Sequence, residues 1–384
     1  MKEYKAFTEC VDFVGSACKP FQGKKKYIST GTVNVSSIDA TAVEIVDYQS
    51  KPSRANLEVE VGDVLFAKMQ GTKKALLINP SLVNNIYSTG FCAVRAKKGV
   101  LAESCLYHLL TSQTFLTQKN KFCSGATQKA ITNAELKKIR ISVPSLEIQD
   151  QVAETLNTVN AIIQKRQQEL SALDDLVKAR FVEMFGVFPN NPLGWKTGTI
   201  RDVVSSVRYG SSRPAVEGGR YPYLRMNNIT YDGELDLTDT KKIDIPDNEL
   251  DKCTVRRGDV LFNRTNSKEL VGKTCVYDRD EPMVLAGFVI RVRLNELMLP
   301  EFLSAFLNTD FSKRMLLGMC KAAIGQANIN AQEMQNIGIY IPPIELQREF
   351  LAFKNKINKS KLAVQQALDK TQLLFDSLMQ KYFG

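Results

Sequence analysis

Apolar positions along the chain fall into two textures, and the pair of textures occurs twice. In the first, short β-type runs such as 64–67, 75–78 and 284–292 alternate with Gly, Asn and Pro turns. One amphipathic helix per copy, over 103–112 and 300–309, completes what these patterns predict as a compact α/β (α+β) head. In the second texture, Val152, Leu156, Val159, Ile163, Leu170, Leu173 and Val177 recur at alternating steps of four and three, with Arg166 filling one place. Such spacing is a heptad seam and predicts a long helix. Phe350, Ile357, Val364, Leu368 and Phe375 repeat the pattern near the C-terminus, interrupted by Lys354, Lys361 and Thr371. Neither stretch holds a Gly or Pro between Glu147 and Phe185 or between Glu345 and Phe383. Forty helical residues span ~60 Å. A seam that narrow needs a partner, and each arm is the natural partner of the other. Pro343 suits a first helical position, and Glu147 and Glu345 sit where the helix dipole favours acid.

Direct repetition supports this division. Gly62-Asp63-Val64-Leu65-Phe66 recurs as Gly258-Asp259-Val260-Leu261-Phe262, and Gly90-Phe91 aligns with Gly287-Phe288. From Ile131 onward the match to Ile329 and beyond runs to the end without a gap. It includes Glu147/Glu345, Gln149/Gln347, Asn157/Asn355, Asn160/Asn358 and Phe185/Phe383. The chain is therefore a tandem duplication with a head at 1–145, a long helix at 146–187, a second head at 188–343 and a second long helix at 344–384. Antiparallel packing of the two helices as a coiled coil would make the molecule pseudo-twofold.

Composition narrows the chemistry. The 384 residues carry 51 Lys+Arg against 41 Asp+Glu, a formal charge of +10 that makes an acidic partner worth seeking. The excess lies mainly in the first head, so the long helices are not a polybasic rod. A single histidine, His108, excludes machinery built on several imidazoles, and it fits a packed or surface ring better than a base. The eight cysteines have no C-x-x-C spacing and read as reduced thiols. The opening Met-Lys-Glu-Tyr-Lys-Ala contains no apolar run like a signal peptide, and the apolar stretch 283–290 is too short to span a bilayer. A cytoplasmic protein with no membrane partner is expected.

Candidate binding residues cluster in the heads. Lys24, Lys25, Lys26, Lys68, Lys73 and Lys74 lie in basic loops suited to phosphates. In the second head, Arg208, Arg213, Arg225, Asn227, Asn228, Asn263, Arg264 and Asn266 mix guanidinium and amide groups. Arg can pair bidentately with guanine and Asn with adenine, so this mixture can read base edges. Gln128 and Gln326 are paired polar candidates near the end of each head. No catalytic or metal site is expected. Ser267 to Thr274 lacks the opening Gly of a phosphate-binding loop, and a β-like run follows where that loop needs a helix. Glu135-Leu136-Lys137 has no Pro-Asp partner and instead suits a short helix capped by Thr132.

The doubled "GDVLF" runs, the paired helix openings "VPSLEIQ" and "IPPIELQ", the segment "PYLRMNNIT" and the arm ending "LVKARFVEMFG" closely resemble the specificity subunit of type I restriction-modification systems. The resemblance covers essentially the whole chain. It implies two target-recognition domains, each reading one half of a split site in double-stranded DNA, with the helical arms as spacer and as docking surface for methyltransferase subunits. It further implies that S-adenosylmethionine, ATP and Mg²⁺ belong to partner methyltransferase and restriction (translocase/endonuclease) subunits, with no cofactor in this chain. The rival readings are a non-DNA assembly scaffold and a nuclease or methyltransferase with a degenerate site.

Overall fold

The computed structural model describes residues 3–35, 37–126, 128–320 and 327–384. They form two compact units, Met1–Gln168 with Val364–Gly384, and Glu169–Ala363. Each long helix contributes a segment to each unit.

The first unit contains two four-stranded sheets and a two-stranded pair. Val64–Ala67 is central to one sheet, between Ala75–Leu77 and Phe91–Ala96, with Val11–Phe13 at the edge. The other sheet is mixed: Lys25–Ile28 runs parallel to Ile86–Ser88, while Glu44–Val46 and Ala55–Leu57 pair antiparallel at its edges. The second unit repeats both sheets. Val260–Asn263 lies between Thr274–Val276 and Val289–Leu294, and Tyr221–Leu224 runs parallel to Met283–Leu285. It adds a short pair, Thr265–Asn266 with Ala327–Asn328.

The repeated Gly-Asp step has a structural cause. Gly62 and Gly258 both have positive φ, at 92° and 89°, which a residue with a Cβ rarely adopts. The following aspartate then caps the turn. Asp63 accepts from the Glu60 amide at 2.8 Å and Asp259 from the Arg256 amide at 2.9 Å. Their other oxygens receive Arg95 Nε at 2.8 Å and Arg293 Nε at 2.7 Å. Each buried carboxylate thus ties a turn to a neighbouring strand.

Two readings of the strands need correction. Residues 284–292 are not one run: Met283–Leu285 and Val289–Leu294 belong to different sheets, and the chain changes sheet between them. The alignment of Gly90-Phe91 with Gly287-Phe288 is also off by one. Ala67 faces Phe91 in one unit while Asn263 faces Val289 in the other. The backbone equivalent of Phe288 in the first unit is therefore Gly90. One amphipathic helix was expected over 103–112 and one over 300–309, and each is the first of a consecutive pair. Glu103–Thr111 is followed by Gln113–Lys121, and Pro300–Leu307 by Asp310–Met319. Ser112 and Thr309 leave the helical conformation and cap the second helix of each pair. As expected, Thr132 caps the short helix Asn133–Leu136.

The two long helices, Leu146–Phe185 and Ile344–Phe383, have 40 residues each. Pro343 precedes the second by one residue instead of opening it. In the first unit, Val152 and Leu156 share a core with Met379 and Phe383, while Arg166 donates to Ala367 O and Thr371 Oγ1. Early residues of one helix therefore meet late residues of the other, so these segments are antiparallel. The place Arg166 takes in the seam is a hydrogen-bonded one. In the second unit, the Phe181 and Phe185 rings lie 5.3 and 5.8 Å from Phe350, and Asp174 pairs with Lys361, again antiparallel.

A buried glutamine joins each long helix to its head. Gln149 accepts from the Ala102 amide at 2.6 Å and donates to Val100 O and Pro144 O at 3.2 and 3.0 Å. Gln347 repeats the arrangement on Leu299, Leu297 and Pro342, at 2.8, 3.0 and 2.9 Å.

Candidate nucleic-acid interface

In the second unit, four of the predicted residues line one cleft. Arg213, Arg225, Asn227 and Arg264 surround a hollow of about 520 Å³ whose wall also includes Met226 and Phe288. Arg225 and Asn227 follow directly from Tyr221–Leu224, and Arg264 follows Val260–Asn263, so neighbouring strand ends of two sheets deliver them. The close approach of these sheets requires Gly210, where a Cβ would stand 2.1 Å from Leu285 O.

The three guanidinium groups differ in commitment. Arg213 makes a two-point ion pair with Glu249, at 2.8 and 3.3 Å, which holds the Glu249 carboxyl below its usual range. Arg225 donates to the Asp239 carboxylate at 2.9 Å and to its carbonyl at 3.0 Å, and it likewise lowers the Asp239 pKa. Asp239 is exposed and Glu249 half-exposed, so these pairs are weak. Arg264 pairs with none of the described carboxylates. Its guanidinium lies 4.9 Å from the centre of the Tyr209 ring and Nη1 donates to Gly287 O at 3.5 Å, while Nε, like that of Arg225, is buried without a hydrogen-bond partner. The Tyr209 hydroxyl accepts from the Ala331 amide at 2.9 Å, which fixes the ring under Arg264. No described group hydrogen-bonds the Asn227 side chain, which is exposed. Arg264 and Asn227 are therefore the cleft's most available polar groups.

Other candidates do not reach the cleft. Asn228 is 2% exposed, accepts from the Arg225 amide and donates to Asp236 O. Asn263 is fully buried, donates to Thr265 O and Phe288 O, and accepts from Asn266. Asn266 also accepts from the Ser267 amide. Asn263 and Asn266 thus hold the turn that carries Arg264, and Asn228 holds the turn that carries Arg225. Arg208 is exposed on the edge strand Val204–Tyr209, opposite Arg291. Gln326 lies outside the described residues.

In the first unit, Lys24 and Lys26 are exposed, while Lys25 pairs with Glu58 at 3.2 Å and lies 4.8 Å from the Phe21 ring centre. Lys74 donates to Thr30 O at 2.8 Å. The second unit has a counterpart in Lys273, which donates to Met226 O and Ile229 O, so both lysines tie adjacent segments together. That bonding makes Lys273 part of the fold, and the strand Thr274–Val276 follows it in place of a phosphate-loop helix. Lys68 and exposed Gln128 share a neighbourhood, because Lys68 O accepts from Ile131 and Gln70 donates to Lys129 O. Lys73 lies elsewhere, in a hollow with Thr111, Thr114 and Phe375.

Three groups escaped the sequence reading. Lys119, 1% exposed, donates to Ala67, Met69 and Thr72 carbonyls and shapes the turn carrying Lys68; burial lowers its pKa to about 8. Tyr209 stands beside Arg208, and Phe288 was read only as part of a repeat; neither was taken as a site residue. The eight cysteines are free thiols, and burial raises Cys10 to about 11 and Cys92 to about 12, far from a reactive thiolate. Among the described residues no cluster of His, Cys, Asp and Glu could hold a metal, and no helix is long and apolar enough to cross a membrane.

Comparison with known proteins converges on one family. The profile described as "Type I restriction modification DNA specificity domain" matches residues 13–172 and again 192–370. The chain is 23% identical over 316 residues to the type I restriction enzyme EcoKI specificity subunit of Escherichia coli K12, covering 76% of this chain and 67% of that protein. It is also 23% identical over 318 residues to the StySPI specificity subunit of Salmonella potsdam, covering 76% and 67%. A chain solved in work on complex assembly and conformational transition of the type I R-M system has a similar fold, with TM-score 0.62, 21% identity and 99% and 97% coverage. The type I restriction-modification S subunit from M. genitalium shares the fold at TM-score 0.54 and 13% identity, over 100% and 96% of the two chains. The chain belongs to the type I restriction-modification DNA specificity family. Within that class it is a specificity subunit, a non-catalytic chain with two target-recognition domains whose role is DNA sequence recognition.

Proposed function

We propose that the two heads read different halves of a split site in duplex DNA, and that the paired helices set the gap between the halves. The helices also offer the surface on which methyltransferase subunits dock. Those subunits bring S-adenosylmethionine and modify adenine, and a separate restriction subunit brings ATP- and Mg²⁺-dependent translocation and cleavage. The observation that carries this reading is a repeated frame with unlike contents. Both units keep the Gly-Asp turn, the carboxylate–arginine tie and the glutamine clamp. At the strand end facing the candidate surface they differ, Lys68 and Gly90 in one standing for Arg264 and Phe288 in the other.

The experiment is a binding titration of the full chain, co-assembled with its methyltransferase subunits, on duplex DNA at several salt concentrations. Lys26→Ala should weaken binding to all sequences and reduce the slope of log affinity against log salt by about 1. Arg264→Ala should instead relax preference at one position of one half-site, by roughly 5- to 100-fold. If Arg264→Ala leaves preference unchanged at every position, Arg264 does not read a base.

A further inference from the structure

Between Met283–Leu285 and Val289–Leu294 the chain leaves one sheet and enters the other, and Phe288 stands at that corner. Its backbone is firmly held. The Phe288 carbonyl accepts from the Arg264 amide at 3.0 Å and from Asn263 Nδ2 at 3.4 Å, while the Gly287 amide donates to Ser211 O at 2.7 Å. The ring is 52% exposed and forms part of the same cleft wall as Arg213, Arg225, Asn227 and Arg264. In the first unit the equivalent carbonyl, which accepts from the Lys68 amide at 3.0 Å, belongs to Gly90 and carries no side chain.

An isolated exposed apolar residue needs no explanation. A ring on a firmly held backbone in the wall of a cleft lined by three arginines is a different matter, because it adds an apolar surface where the other groups suit a polyanion. The major-groove edge of an A·T pair offers one apolar feature, the thymine 5-methyl group. A wedge that unstacks bases must project from the surface, whereas this ring is half-covered and lies in the cleft wall.

We propose that Phe288 is a specificity-determining residue that contacts the 5-methyl group of a thymine in the half-site read by the second unit. The proposal rests on the DNA-reading function above, and its test separates the two. The full chain, assembled with its methyltransferase subunits, is titrated on a duplex carrying the site found by mapping modified adenines. Each thymine is replaced in turn by deoxyuridine, which removes the methyl and keeps the pairing edge. In the wild type, one replacement within one half-site should weaken binding about fourfold, the scale of one buried methyl group. Phe288→Gly, which installs the first unit's residue, should abolish that sensitivity, and Phe288→Leu should keep part of it. A wild type indifferent to every replacement, or full sensitivity retained in Phe288→Gly, overturns the proposal. Should Phe288→Gly fail to fold by circular dichroism, full sensitivity retained in both Phe288→Leu and Phe288→Ala overturns it equally. A wild type with no site preference on the unmodified duplex would instead remove the DNA reading itself, and the proposal with it.

Discussion

His108, the chain's one imidazole, is 2% exposed, with Nε2 2.8 Å from the Asn157 side chain on the first long helix. Burial pushes its pKa below the usual 6.5, against a smaller upward pull from Asn157. The unfolded chain therefore takes up a proton near pH 6.5 while the folded chain still resists it, so stability is lost as pH falls through 6.5. Thermal melts of the wild type and His108→Gln at about pH 7.5 and 5.5, either side of that value, check this. The wild type should lose more stability over that interval than the variant; equal losses would show that His108 is not held neutral. At this scale the sequence was a partial guide. It marked Arg225, Asn227 and Arg264 by their chemistry, but Asn228 and Asn263 look the same in sequence and turn inward. Whether an amide reads a base or holds a turn depends on which backbone groups the fold leaves unpaired nearby.

Among the elements, the long helices and their seam were legible because a heptad is a local pattern. Ile163 is buried, and Arg166, Leu170 and Thr371 are buried or half-buried, where the seam predicted. The sequence reading stopped the head helices at Ser112 and Thr309 and missed the second helix of each pair, Gln113–Lys121 and Asp310–Met319, which those same residues cap. The slip of one residue at Phe288 has a different origin. Identity favoured aligning the two Gly-Phe pairs, but the ladder hydrogen bonds set the register. The glutamine clamps give the element-scale prediction. Gln347→Ala leaves the Leu299 amide and the Leu297 and Pro342 carbonyls without their partner, in a site with no exposure. Chemical denaturation should show a loss of about 3 kcal/mol. A loss within experimental error would mean the helix is held to its head by apolar packing alone.

For the whole molecule, duplication is the fact from which the function follows. Two copies of one frame, each with its own candidate reading surface, suit a recognition sequence in two unlike parts. Internal repetition made this architecture visible in the sequence before any contact was known. The identities of the bases were not visible; under the proposed function they turn on side chains such as Arg264 and Phe288, whose roles are set by position. The most direct measurement is a genome-wide map of adenines modified in cells expressing this chain with its methyltransferase subunits. The account predicts two short, different sequence blocks separated by a gap of constant length and unspecified sequence. A single uninterrupted block, or modification with no common sequence, would contradict it.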